Sequence, residues 1–171
     1  MRRGTTTWIL MALLALVTLG CSDTEPGADE PRKVAPAFDV VRLDGVPVAL
    51  EALRGRTVIL DFWATWCAPC EVQMPVLDAI WEARGGEDLL VLGLSMDTDP
   101  PAEVEAWLEE KGIGYPIAIA DQQLAVEFGA WAYPTLVVVD PYGRIFHMHQ
   151  GVMSRPELEA VLDAVANEFP G

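Results

Sequence analysis

The chain has 171 residues, a length typical of one domain, and its 51% hydrophobic and 22% charged residues exclude a disordered protein. Beyond residue 20, nine basic residues face 26 acidic ones, so the net charge of that part is −17. A surface this acidic repels phosphate backbones, which argues against nucleic-acid binding. Three cysteines are too few for a scaffold held together by disulfides.

Residues 1–20 have the pattern of an export signal. Arg2 and Arg3 precede the uncharged, mostly apolar run Trp8–Leu19, which is shorter than the roughly 20 residues that cross a bilayer. The run ends in LVTLGC, which resembles the lipobox of bacterial lipoproteins, where the signal is cut before a cysteine that then carries lipid. That cysteine is Cys21. The alternative is an ordinary signal peptide with Cys21 as a stray thiol, but a lipidated Cys21 leaves one cysteine pair.

Residues 21–34 are predicted to be the lipidated cysteine and a flexible acidic tether. After Cys21 this segment holds four acidic residues and two prolines, and its apolar members are Ala28 and Val34. It cannot bury enough apolar surface to order itself. Residues 35–171 are then a single domain, anchored by lipid outside the cytoplasm and facing the periplasm. Ser22 after the cysteine favours the outer membrane in a Gram-negative host.

Within the domain the apolar pattern alternates between strands and helices. An N-terminal hairpin is predicted over residues 38–53. Further strands are predicted at 58–62, 89–94, 117–120, 135–140 and 145–150, and helices begin near Ala68, at Pro100 or Pro101, after Asp121 and after Ser154. The helix from Ala68 is predicted to bury Val72, Val76, Ala79, Ile80 and Ala83. Continuous apolar strands predict an α/β fold with a central mixed sheet covered by helices on both faces.

The clearest chemistry lies in WCAPC, residues 66–70, at the start of the first long helix. Two thiols separated by two residues can form a disulfide there without unwinding the helix. The helix N-terminus stabilises the Cys67 thiolate, whereas Cys70, one turn inside, is expected to be more buried. Cys67 is the predicted nucleophile and Cys70 the resolving thiol. A structural disulfide and half a metal site are the alternatives; haem attachment is excluded because Glu71 stands where histidine is required.

Two stretches resemble the thioredoxin superfamily. LDFWATWCAPCEVQMP, residues 60–75, is similar to its active-site segment, and AWAYPTLVVVD, residues 130–140, to its cis-proline segment. The domain opening, APAFDVVRLDGVPVALEALRGRTVIL, resembles the hairpin of TlpA- and ResA-type proteins. The resemblance implies a thioredoxin fold and a membrane-tethered thiol–disulfide oxidoreductase, often a reductant in cytochrome c maturation. It implies a disulfide-containing protein substrate and a membrane thiol as electron donor; we expect no cofactor and a monomer.

The resemblance also assigns roles to single residues. Asp61 takes the place of an acid that moves protons to and from the resolving thiol, although an acid there can also simply end a strand. Pro134 takes the place of the cis-proline, which would hold its loop against the cysteines and present the Tyr133 backbone to an extended substrate. Trp66 is expected to be a partly exposed docking platform, and Trp63 a core residue.

The residue that exchanges protons with the thiols is predicted from the positions of an acid and an amide, which look exchanged relative to ResA-like proteins. ResA-like relatives commonly carry a glutamate three residues after the second cysteine and an amide six residues before the first. Here Gln73 and Asp61 take these places. Because glutamine cannot take a proton, the acid–base work should fall on Asp61, whose pKa burial should raise.

Two other functions are compatible with the fold. A copper-binding or metal-relay domain would use the cysteine pair with His147 and His149, which share one face of a predicted strand. A solvent-facing edge strand is the simpler interpretation, and the H-x-H spacing does not fit zinc. A peroxiredoxin-type peroxidase requires Thr-x-x-Cys, whereas Ala64 stands three residues before Cys67. The Ala-Pro dipeptide between the cysteines is similar to that of reducing members, so we predict a reductase.

Overall fold

The computed structural model describes residues 31–170. The predicted leader, Cys21 and most of the predicted tether lie outside the described residues. The helices and strands alternate along the chain, which confirms the predicted α/β class. In chain order they are β1 (Asp39–Val41), β2 (Pro47–Ala49), a 3-10 helix (Leu50–Leu53), β3 (Thr57–Trp63), α1 (Ala68–Arg84), β4 (Leu89–Ser95), α2 (Pro101–Lys111), β5 (Ile117–Ile119), α3 (Gln122–Phe128), β6 (Thr135–Val139), β7 (Ile145–Gln150) and α4 (Arg155–Glu168).

Five strands form a mixed central sheet in the order β5-β4-β3-β6-β7. Strands β3, β4 and β5 are parallel, whereas β6 runs antiparallel to both β3 and β7. The first two strands form a separate antiparallel hairpin, and Arg42 just after β1 bridges to Ala118 of β5. The mixed sheet and the N-terminal hairpin are both as predicted.

The two faces of the sheet are covered by different helices, because successive side chains of a strand point to opposite faces. Phe62 of β3 packs against Phe128 of α3, with ring centroids 5.4 Å apart. Asp61 and Trp63 point to the other face, where the Trp63 ring lies 5.3 Å from that of Trp107 in α2. Helix α1 covers this second face too. The chain moves across the sheet in the same direction from β3 to β4 and from β4 to β5. Because such crossovers are right-handed, α1 and α2 lie on the same side of the sheet.

Helix α1 buries a different face from the one predicted. Its buried side chains are Cys70, Gln73, Met74, Leu77 and Ile80. Val72, by contrast, is 61% exposed, and Ala83 is exposed as well. The prediction followed apolar residues alone, but an amide that finds a buried partner can face inward, and Gln73 does so. The predicted apolar face of α1 is therefore wrong for these residues, although Ile80 is buried.

Residues Arg32–Val34, at the end of the predicted tether, contact the domain. Val34 forms an antiparallel bridge with Arg144, and both outer nitrogens of Arg32 pair with the Glu168 carboxylate. The chain therefore enters the domain beside the turn between β6 and β7. Within residues 31–170, the helices are all too short or too polar to cross a bilayer.

Candidate active site

The two cysteines of the C-x-x-C motif form a disulfide at the N-terminus of α1. Their Sγ atoms are 2.06 Å apart and their Cα atoms 5.3 Å apart. Cys67 is the N-cap of α1, and its Sγ accepts a hydrogen bond from the Cys70 backbone N–H at 3.3 Å. After reduction, unpaired N–H groups and the helix dipole at this position favour a thiolate on Cys67. Cys70 is fully buried whereas Cys67 is 5% exposed, which confirms the predicted order of burial.

A buried carboxylate just after β4 holds the loop that leads to the cysteines. Asp97 accepts hydrogen bonds from the Thr65 backbone N–H at 3.0 Å and from the Thr65 hydroxyl at 2.6 Å. Ser95 donates its hydroxyl to the same carboxylate at 2.7 Å. Asp97 was not predicted from the sequence, because 32 residues separate it from Thr65 and no motif marks it. Its contacts fix the approach of the chain to Cys67.

Asp61 is a fully buried acid in β3. Its Oδ2 accepts a hydrogen bond from the Tyr115 hydroxyl at 2.8 Å. Burial disfavours the charged carboxylate and raises the pKa of Asp61 to about 7, although the Tyr115 hydrogen bond acts in the opposite direction. A carboxyl group with this pKa can both take and release a proton near neutral pH. The raised pKa was predicted; Tyr115 was not singled out.

Gln73 makes a structural link rather than an acid–base site. Its side chain is fully buried in α1, and its Oε1 accepts a hydrogen bond from the Met153 backbone N–H at 2.6 Å. Met153 lies between β7 and α4. Gln73 therefore ties α1 to the segment that leads into α4.

Aromatic side chains and the predicted proline lie at the same end of the sheet as the cysteines. Trp66 is 67% exposed, and its ring centroid lies 5.8 Å from that of Tyr133, whereas Trp63 is buried as predicted. The Tyr133–Pro134 peptide bond is cis, as the resemblance implied. Pro134 directly precedes β6, which pairs there with the end of β3. Trp131 is 70% exposed; it belongs to the cis-proline segment 130–140, but no role was predicted for it from the sequence.

His147 and His149 lie on β7, at the edge of the sheet. Both side chains are half-buried, so the predicted edge strand is correct, but it does not simply face solvent. Burial and the neighbouring His149 lower the pKa of His147. In the part of the chain that the structure describes, no group of three or more His, Cys, Asp or Glu side chains is arranged to hold a metal ion.

A C-x-x-C disulfide at the start of a helix, on a mixed sheet covered on both faces, defines a redox-active protein of the thioredoxin fold. Comparison with known sequences then places the chain within one family. Residues 31–148 match the AhpC/TSA family, and the chain belongs to it.

Individual relatives agree with this class. The chain is 31% identical to the thioredoxin-like protein YneN of Bacillus subtilis (strain 168), over 83% of this chain and 84% of that protein. It is 30% identical to the thiol-disulfide oxidoreductase ResA of Bacillus thuringiensis (strain Al Hakam), over 78% of this chain and 77% of that protein. Among solved structures, a thiol:disulfide interchange protein of the thioredoxin family from Chlorobium tepidum TLS superposes with a TM-score of 0.70 at 25% identity, covering 81% and 99% of the two chains. The predicted ResA-type resemblance is confirmed.

Proposed function

We propose that this protein is a thiol–disulfide oxidoreductase that reduces protein disulfides outside the cytoplasm. The observation that carries the proposal is the Cys67–Cys70 disulfide with Cys67 as the N-cap of α1. This arrangement gives one thiol an activating environment and keeps the second within bonding distance of it. The similarity to proteins named thiol-disulfide oxidoreductase supports the same chemistry.

The proposed reaction passes two electrons from the dithiol to the substrate. The Cys67 thiolate attacks a substrate disulfide, forms a mixed disulfide through its Sγ and releases one substrate sulfur as a thiolate. Cys70 then loses its proton, and its Sγ attacks the Cys67 Sγ. The Cys67–Cys70 disulfide forms, and the second substrate sulfur leaves and takes up a proton. A membrane-bound dithiol is the proposed reductant that restores the cysteines.

Asp61 is proposed to carry the proton of this second step. Its ionised form takes the proton from Cys70, and its neutral form returns it to the leaving sulfur or to solvent. The pKa of about 7 supports the proposal, because a base is most useful when its pKa lies near the working pH.

The proposed substrate platform is made of Trp66, Tyr133 and Pro134. An extended peptide would pair with the Tyr133 backbone in the manner of an added strand, while its apolar side chains cover the exposed indole of Trp66. We add Trp131 to this platform, because its large exposed ring lies in the same segment as Tyr133.

Location completes the proposal. Lipid on Cys21 would attach the mature protein to a bacterial membrane, with the domain outside the cytoplasm and the outer membrane as the favoured site. A membrane dithiol donor and a role in cytochrome c maturation belong to the same proposal, which rests on the sequence pattern and on the similarity to ResA.

Trapping of the mixed disulfide tests the proposal. The Cys70→Ser variant should accumulate proteins linked covalently through Cys67, because the resolving thiol is gone. Mass spectrometry would identify these partners. The matched control is Cys67→Ser, which should trap few or none. Equal trapping by both variants, or by neither, would contradict the proposed roles of the two cysteines.

A thiol peroxidase is the second candidate, favoured by the match to the AhpC/TSA family. The residue three before Cys67 is Ala64, which is fully buried and offers no hydroxyl where that chemistry requires threonine. We therefore expect the reduced protein to consume hydrogen peroxide no faster than a simple dithiol. Rapid peroxide consumption that disappears in Cys67→Ser would favour the peroxidase.

A further inference from the structure

We propose that Tyr115 is a positioning residue for Asp61: its hydroxyl holds one carboxylate oxygen so that the other is left to exchange a proton with Cys70. This inference rests on the proposed function, and it assigns a residue outside both active-site motifs to the proton transfer.

Tyr115 is anchored from both ends. Its backbone N–H donates to Oδ1 of Asp78 in α1 at 3.0 Å, and the Gly114 N–H donates to the same oxygen at 2.8 Å. Its side chain is almost fully buried, and its hydroxyl reaches Oδ2 of Asp61 at 2.8 Å. Tyr115 therefore connects α1 with the centre of β3, and neither end of the residue is free to move independently.

A glycine in β4 makes room for this reach. Gly93 pairs with Asp61 in the parallel register. A Cβ atom at Gly93 would lie 3.0 Å from Cε2 of Tyr115, 3.0 Å from Nε1 of Trp63 and 2.3 Å from Cδ1 of Ile117. The end of the Ile117 side chain would have to move, and the two 3.0 Å distances are shorter than the roughly 3.5–4.0 Å of an ordinary van der Waals contact. The absence of a side chain at Gly93 thus lets the Tyr115 ring cross the strand next to Asp61.

The two oxygens of Asp61 are consequently different. Oδ2 accepts from Tyr115, whereas Oδ1 is buried and has no hydrogen-bond partner among the residues the structure describes. An unpartnered buried oxygen is the one able to accept a proton without breaking an existing bond. The Tyr115 hydrogen bond also favours the ionised carboxylate, which is the form that works as a base.

Four charged side chains line the same groove as Tyr115: Arg42 and Asp44 after β1, and Glu105 and Glu109 of α2. From β4 and β6 the residues paired with Asp61 are Gly93 and Leu136, neither of which titrates. Helix α1 contributes the Asp78 carboxylate, which acts on Tyr115, and the cysteine pair at its N-terminus. The Tyr115 hydroxyl itself stays protonated, since burial and Asp61 together raise its pKa far above the ordinary value.

The test is the pH profile of the Tyr115→Phe variant. The full-length protein, reduced beforehand, is mixed with a disulfide-bonded peptide, and the single-turnover rate is followed from pH 5 to 9. We expect the rise of the rate with pH to lie about one pH unit higher in Tyr115→Phe than in the wild type, because a hydrogen bond to the carboxylate is lost. The control, Tyr142→Phe, removes an exposed hydroxyl and should leave the profile unchanged.

Three outcomes separate this proposal from the proposed function. Coincident profiles for wild type and Tyr115→Phe, with the rise abolished in Asp61→Asn, would overturn the role of Tyr115 alone. A wild-type protein that reduces no disulfide would overturn the proposed function. The proposal is supported if Tyr115→Phe shifts the pH–rate profile of the wild type but leaves the profile of Asp61→Asn unchanged in the double variant Tyr115→Phe/Asp61→Asn. The effect of Tyr115 would then act through Asp61.

A measurement on the wild-type protein covers the case of a variant that does not fold. With carbon-13 in the carboxyl carbon of aspartate and the phenolic carbon of tyrosine, NMR titration of the oxidised protein follows both partners. We expect the Tyr115 phenolic signal to change at the pH where Asp61 titrates, near 7. A Tyr115 signal that stays constant through that titration would overturn the hydrogen bond on which the proposal depends.

Discussion

Asp61 places an ionisable side chain where water does not reach it. Its carboxyl group is fully buried, and within residues 31–170 a single neutral hydroxyl donates to it. In the unfolded chain the same group is solvated and ionises near pH 4. The folded protein therefore holds a proton on Asp61 between about pH 4 and pH 7, a range in which the unfolded chain does not.

This difference predicts a pH-dependent stability. Since the folded state binds the extra proton, the free energy of unfolding of the oxidised protein should fall as pH rises through this range, by at most roughly 4 kcal/mol from this group. Denaturant titrations at pH 5 and pH 8 measure the difference. Asp61→Asn should remove this contribution, whereas Asp163→Asn, at an exposed position on α4, should not. If the free energy of unfolding changes equally between pH 5 and pH 8 in the wild type and in Asp61→Asn, Asp61 is ionised in the folded protein throughout that range.

The rate should separate Asp61 from Gln73. We expect Asp61→Asn to slow disulfide reduction near pH 7 by roughly tenfold or more, because proton transfer loses its carrier. Gln73→Ala should change this rate little, but it should lower stability by about 1–3 kcal/mol, since the buried Met153 N–H loses its acceptor. The turnover assay and denaturant titration of both variants check this. A greater rate loss in Gln73→Ala would move the acid–base role away from Asp61.

Single residues of the site were predictable where the signal is local. The cysteine pair lies within four residues of sequence, and Asp61 stands out as an acid in an apolar strand. Tyr115 acts across 54 residues and Asp97 across 32. Such contacts depend on which strands lie side by side, and one sequence does not contain that information.

At the scale of elements, the N-terminus of α1 sets the redox properties of the thiols. Glu71 in its first turn would oppose a thiolate, but Lys111 of α2 pairs with it at 2.7 Å. Neither side chain is deeply buried, so the pair moderates the local field rather than cancelling it. The dipole of α1 thus favours the Cys67 thiolate without a strong excess of positive charge nearby.

This setting predicts a reducing potential. The Cys67–Cys70 couple should lie nearer the roughly −270 mV of thioredoxin than the roughly −120 mV of a strong oxidant. Lys111→Ala should make it slightly more negative, because Glu71 then opposes the thiolate without a counter-charge. Equilibration with glutathione buffers measures both values. A potential near the oxidant end would reverse the proposed direction of electron flow.

Elements with strong patterns were predicted to within a residue or two. The runs for β3, β4 and β7 and the helix start after Ser154 all correspond to observed elements. Their patterns are continuous or, at α4, marked by a capping residue. The face of α1 was not predictable in the same way. Gln73 points inward on account of Met153, which lies 80 residues further along the chain.

At the scale of the whole molecule, the proposed anchoring depends on Cys21, which lies outside the described residues. Lipid on Cys21 predicts that the mature protein stays with the membrane fraction, because several acyl chains together anchor stably. Cys21→Ala should release it into the soluble fraction while leaving disulfide reduction by the domain intact. Fractionation of cells expressing either form checks this. A Cys21→Ala protein that remains equally membrane-bound would contradict lipid anchoring.

Residues Arg32–Val34 attach to the domain beside the turn between β6 and β7, so the two ends of the sheet differ: one receives the N-terminal segment and the other carries the cysteines. That turn lies at the end of the sheet opposite to Cys67, because β6 runs antiparallel to β3. The segment that follows the proposed lipid anchor at Cys21 thus joins the domain at the end opposite to the redox centre. Under that proposal a membrane donor has to reach Cys67 at the far end of the domain, whereas a soluble substrate does not depend on the anchor. Shortening the chain between Cys21 and the domain should therefore slow re-reduction by a membrane donor and leave the reduction of a soluble substrate unchanged.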